Sequence, residues 1–307
     1  MQQFRTLAGA ALLAVAGAGA AGAAPIIYTA NSGNGTVGAY TTSGTAVNAT
    51  LISGLHNPLG VAVSGSDVFV TNYNTGTIGE YTISGATVNA ALISGLNGPA
   101  GIVVSGSNIF VANNNGTTIS EYTTAGTLVN ATLISGLVDP FGLAASGSNI
   151  FVASYGGTVG EYTTSGTTLN AALISGLTGP EGIAVSGSEL FVASPSSGTI
   201  GEYTISGGTV NAALIAAGGG AIGLAVSGSN LFVGNVNTGT IGEYTLAGAT
   251  VNAALVTGLS SPQLFAVADT SSVPEPATLP VLAAGLLGLV GFRAFRRRGG
   301  PRLHPRS

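Results

Sequence analysis

Cysteine, lysine and tryptophan are absent from this 307-residue chain, and histidine occurs only twice. Without cysteine there is no disulfide, no thiolate nucleophile and no thiolate metal ligand, though exported proteins need not use disulfides. Charge is scarce: 6% of residues are charged, against a typical ~25%. All seven basic residues are arginines, placed at Arg5 and from Arg293 onward, and the eleven acidic residues all lie between those points. A body with no cation cannot neutralise phosphates, which excludes a nucleic-acid role. Helix-period segments are also missing from the middle of the chain, which excludes the helical repeat families. What is plentiful is apolar and small. Hydrophobic residues make up 45% and glycines number fifty, so the chain can bury a core built from short strands and tight turns.

An internal repeat decides the fold. Tyr40, Tyr81, Tyr122, Tyr162, Tyr203 and Tyr244 are spaced by 41, 41, 40, 41 and 41 residues. An asparagine row (Asn48, Asn89, Asn130, Asn170, Asn211, Asn252) and an aromatic row (Tyr28, Phe69, Phe110, Phe151, Phe191, Phe232) keep the same spacing. The copy at 60–96 predicts four strands, Gly60–Ser64, Val68–Thr71, Thr77–Ile83 and Ala90–Ser94, separated by Gly-, Ser- and Asn-rich turns. Four antiparallel strands in ~41 residues is a β-propeller blade. Only two strand-like runs precede Tyr40, so the first blade lacks its innermost strand; Leu264–Asp269 aligns with that strand and then stops. The expectation is an all-β, six-bladed propeller closed by its C-terminal strand, which removes open sheet edges.

The Pro-x-Gly steps at Pro58, Pro99, Pro140 and Pro180, the strand ending in Phe-Val and the following Gly-Thr-Ile and aromatic resemble NHL-type six-bladed propellers. That family holds scaffolds, ligand binders and enzymes, so fold alone assigns no function.

Both ends read as addresses. Arg5, the apolar run Leu7–Ala16 and the small residues Ala21-Gly22-Ala23 predict a signal peptide over 1–23. At the other end Val273-Pro274-Glu275-Pro276 precedes an apolar run from Leu279 to Phe292, then Arg293 and Arg296-Arg297-Arg298. That order resembles the PEP-CTERM sorting tail of Gram-negative bacteria. The resemblance implies a hydrophobic helix stalled in the inner membrane with its arginines cytoplasmic, and cutting near Pro274, Glu275 and Pro276 by an exosortase-type protease. The alternative is a lasting C-terminal anchor. The expected domains are a signal peptide (1–23), a propeller (24–270) and a sorting tail (271–307).

Candidates for chemistry are few. His56 is the only histidine outside the tail, so no histidine relay or multi-histidine metal site can form. Ser-Gly-Ser recurs as a hairpin turn rather than as a nucleophile elbow. Glu80, Glu121, Glu161, Glu202 and Glu243 share one slot in five copies, with Ala39 in the sixth. Either they are solvated near the blade rims and bonded to Thr and Tyr hydroxyls, or they collect cations. The first is expected, since calcium prefers carboxylates converging within one loop. Gluconolactonase-like members of the resembled family hold a divalent metal with Glu, Asn and Asp from separate blades. Comparable loops here carry Asp139, Glu181, Asn72, Asn74 and Asn113 to Asn115, but the positions do not match the motif. These loops are expected to turn the chain. No catalytic, cofactor or metal residue is therefore assigned. The expected function is that of an exported, surface-sorted, non-catalytic structural or binding module. Its partners would be an exosortase and extracellular polysaccharide or a surface protein; the alternative is a metal-dependent gluconolactonase-like hydrolase or lyase.

Overall fold

The computed structural model describes residues 24–268. The expected signal peptide, the sorting tail with the hydrophobic helix expected in it, and the last two residues of the expected propeller span lie outside the described residues. Among the described residues no helix is long and apolar enough to cross a membrane.

Six four-stranded antiparallel meanders form the blades of a propeller. Numbering the blades by their outer strands, blade II runs Pro58–Ser64, Asp67–Asn72, Thr77–Thr82 and Thr87–Ile93, from the axis outward. Blade I takes its inner strand from the end of the array: Pro262–Ala268 pairs with Ile26–Asn31, which pairs in turn with Thr36–Thr41. The same strand packs beside the inner strands of blades II and VI, so the ring closes as the repeat phase required.

The core lies between blades. Val68 and Val70 pack toward blade I with Tyr28, Val37 and Ile52, while Phe69, on the opposite face of the same strand, packs toward blade III with Ile102, Ile109 and Val111. Both faces of the second strand are thus buried, which is why it reads as a continuous apolar run rather than an alternation. Its central aromatic is at most 3% exposed in every blade.

The outer strand departs from expectation, beginning at Thr87 rather than Ala90. Its first five residues are exposed on both faces, so no periodicity marks its start. Here the asparagine row finds its role. In every blade its Oδ1 accepts the backbone N–H two residues on, at 3.1 Å. The side chain occupies a donor that a free sheet edge would offer to another chain, and bulges interrupt the register beside it.

Candidate functional site

The two ends of the propeller are built differently. At the hairpin end lie the tight turns within each blade and the glutamate row. Each glutamate sits across from the buried aromatic of the second strand, as in Glu80 with Phe69. Its partners are not the expected Thr and Tyr hydroxyls. In three blades an asparagine amide donates to the carboxylate: Asn108 to Glu121 at 2.7 Å, Asn149 to Glu161 at 2.7 Å and Asn230 to Glu243 at 2.6 Å. In blades II and V the asparagine's place is taken by Asp67 and Glu189. Burial, and then the neighbouring Asp67 charge, push the Glu80 carboxyl above its ordinary value; burial and Glu189 do the same to Glu202.

At the other end, the loops leading into each inner strand meet the loops between second and third strands. The residue just before Pro58, Pro99, Pro140, Pro180, Ala221 or Pro262 is left-handed in every blade: Asn57, Gly98, Asp139, Gly179, Gly220 and Ser261, with φ between 47° and 86°. Asn, Asp and Gly tolerate that region, so Asp139 is explained by its backbone. Its carbonyl accepts the Tyr155 N–H at 3.0 Å, and the side chain is exposed, with no hydrogen bond among the described residues.

The remaining candidates gather at this same end, but mostly as structural ties. Asn72 is 3% exposed and accepts the His56 N–H at 3.1 Å; Asn74 accepts from Asn57 at 3.4 Å. Asn113 donates to Ser120 at 3.0 Å, leaving its Oδ1 buried and unpartnered. Asn114 donates to the Pro140 carbonyl of the next blade at 3.3 Å, and Asn115 accepts the Tyr73 hydroxyl at 2.9 Å. Among the described residues no three His, Cys, Asp or Glu side chains converge. Glu181 stands apart. Its backbone joins the inner edge of blade V through the Ala193 carbonyl at 3.0 Å, its carboxyl has no hydrogen-bond partner among the described residues, and burial raises its pKa to about 7.

Residues that motif reading passed over also lie here. Tyr73 and Tyr155 occupy a turn position filled elsewhere by Ser32, Asn114, Pro195 and Val236. Tyr155 is 49% exposed and the nearby Val138 59%. An aromatic in a Gly- and Asn-rich turn, in two copies of six, was the available signal. Cavities lie between blades: one of about 420 Å³ reaches this end through Thr178, Ser194 and Ser197, and another of about 460 Å³ reaches Glu121 at the hairpin end.

With the fold in hand, the class is a closed six-bladed β-propeller. Solved structures with this architecture include one of a nidogen/laminin complex (TM-score 0.67, 16% identity, 80% of this chain and 98% of that one). Virginiamycin B lyase from Staphylococcus aureus is similar over 67% of this chain and 73% of its own (TM-score 0.55, 19% identity). A gluconolactonase from Xanthomonas campestris covers 66% of this chain and 77% of its own (TM-score 0.57, 12% identity). At these identities the likeness shows the fold alone. No curated protein matches the sequence. Residues 272–298 match the PEP-CTERM protein-sorting motif. The chain is an exported propeller that carries a C-terminal sorting signal.

Proposed function

We propose that the propeller is a non-catalytic structural or binding module, sorted by an exosortase-type protease to the cell surface or exopolysaccharide matrix of a Gram-negative bacterium. The observation that carries this reading is how the polar groups of the lead-in end are used. The asparagines that could ligate a metal tie loops together, and Asp139 holds a left-handed turn. The C-terminal apolar run would halt export in the inner membrane, its arginines resisting translocation, with Pro274-Glu275-Pro276 just outside. The test of sorting is mass spectrometry of the mature C-terminus from the native host. Cleavage near the motif supports the proposal, and recovery of Arg298 in surface-exposed protein overturns it.

A second reading, a metal-dependent lactone hydrolase or lyase, is favoured by one observation: the partly buried, unpartnered Glu181 carboxyl. A metal bound only by the folded state at a hundredfold excess over Kd would add about 2.7 kcal/mol of stability. A calcium-dependent rise in Tm that is lost on Asp139→Ala or Glu181→Ala supports the enzyme reading. An unchanged Tm in chelator supports the non-catalytic one.

A further inference from the structure

Sixfold repetition is broken at the lead-in end, and broken on one side. Tyr73 of blade II and Tyr155 of blade IV flank Asn114 and Asn115 of blade III, with Asp139 and Glu181 beyond. The same turn in blades V, VI and I carries Pro195, Val236 and Ser32.

Both rings are seated on the next blade's loop. A Cβ on Gly98 would come within 3.0 Å of the Tyr73 ring, and one on Gly179 within 2.9 Å of the Tyr155 ring. Glycine at these positions lets each aromatic lie across a blade junction. The Tyr73 hydroxyl is anchored on Asn115. The Tyr155 hydroxyl makes no hydrogen bond among the described residues, and about half of that side chain faces water. Beside Tyr155 stand the exposed Ser196 hydroxyl, which borders the same Gly179, and the turn of the exposed Asp139, whose backbone carbonyl accepts the Tyr155 N–H; Glu181 follows Gly179 by two residues. An exposed ring bordered by a hydroxyl, on loops that carry carboxyl groups, matches the C–H face and hydroxyl rim of a sugar.

Charge selects among sugars. The chain carries no Lys or Arg between Arg5 and Arg293, and the two loops that meet Tyr155 carry the acidic residues Asp139 and Glu181. A uronate or sulfated polymer would meet only like charge there.

We infer that the Tyr73–Tyr155 side of the lead-in end is a binding site for neutral polysaccharide, with Tyr155 as the stacking platform. This rests on the binding-module reading above and names its ligand class. The Tyr73 ring extends the platform across blade III, and the Asp139 and Glu181 carboxyl groups accept sugar hydroxyls.

The experiment uses the full chain in a polyoxyethylene detergent, which contributes no sugar of its own. Retention is measured on cellulose, chitin and laminarin as neutral polymers and on alginate as the anionic one. Retention on at least one neutral polymer and none on alginate is expected. Tyr155→Ala should weaken it about tenfold, as a central aromatic contact does; Tyr155→Phe, which keeps the ring, should retain most of it. Ser84→Ala, at the opposite end, is the control and should change nothing. No retention on any neutral polymer, equal retention on alginate, or binding indifferent to Tyr155→Ala overturns the inference while leaving the module reading intact. Release of soluble sugar products overturns the non-catalytic reading and leaves the platform standing.

Discussion

The seam between the last strand and blade VI should be the propeller's point of greatest sensitivity. Phe265 is 6% exposed and shares a cluster with Ile27, Tyr40, Phe232, Ile241 and Val256. Its ring lies on two glycines of blade VI: a Cβ on Gly223 would come within 2.6 Å of it, and one on Gly234 within 3.0 Å. Phe265→Ala therefore leaves a ring-sized void that the glycines cannot fill. Emptying a buried Phe site costs about 3–5 kcal/mol. In a domain of this size 1 kcal/mol shifts Tm by roughly 2–4 °C, so a fall of about 6–20 °C is expected. The loss would loosen the seat of the closing strand, whose pairing with Ile26–Asn31 joins the two ends of the propeller, and would bare that edge. Circular dichroism melts of the full chain, read beside limited proteolysis, measure both effects. Cleavage near residue 260 should appear before cleavage within blades III to V. A Tm within 2 °C of the parent, with an unchanged proteolytic pattern, would refute the closure argument.

Acidity should stabilise the fold. Glu181, Glu80 and Glu202 have raised pKa values in the folded state, so their contribution is complete below the unfolded value near 4.5. For Glu181 it is lost as pH rises through about 7. Tm should fall between pH 5 and pH 8, and Glu181→Gln should flatten that slope by about 1–2 kcal/mol after allowing for partial exposure; a Tm that rises over this range contradicts the assignment. Replacing Asp67 by Asn copies the Asn–Glu pair of blades III, IV and VI into blade II and should raise Tm at pH 8, whereas a drop would show that the acid pair is itself stabilising. Changing all six outer-strand asparagines to valine frees six edge N–H groups and should give faster aggregation by light scattering; an unaltered rate removes the edge-protection role. Glu275→Ala should leave full-length protein in the membrane fraction of the native host, and normal processing would show that the glutamate is not read.

Much of the architecture was legible in the sequence because a propeller is one unit copied. The tyrosine, aromatic and asparagine rows set the period, and the phase difference between the two ends exposed the closing strand. The glutamate row was found but its partners were not. Asn108 and Glu121 lie thirteen residues apart, and only their placement on neighbouring strands reveals the clip. The outer strand began three residues before its expected start because solvent on both faces leaves no alternation to read.

The sequence by itself determined the number of blades, the closing strand, the absence of any cation in the body and the sorting signal, since each is a matter of order and composition along the chain. Tertiary structure alone decided what the lead-in end is. Asp139 proved to be a turn residue through its positive φ, and the candidate asparagines proved to be ties between loops. Tyr155 came to lie on Gly179, in the loop that carries Glu181, and Tyr73 on Gly98. Those neighbours belong to successive blades, some 25 residues apart in the chain. They meet because the ring brings the end of one repeat against the start of the next, a proximity no local pattern encodes.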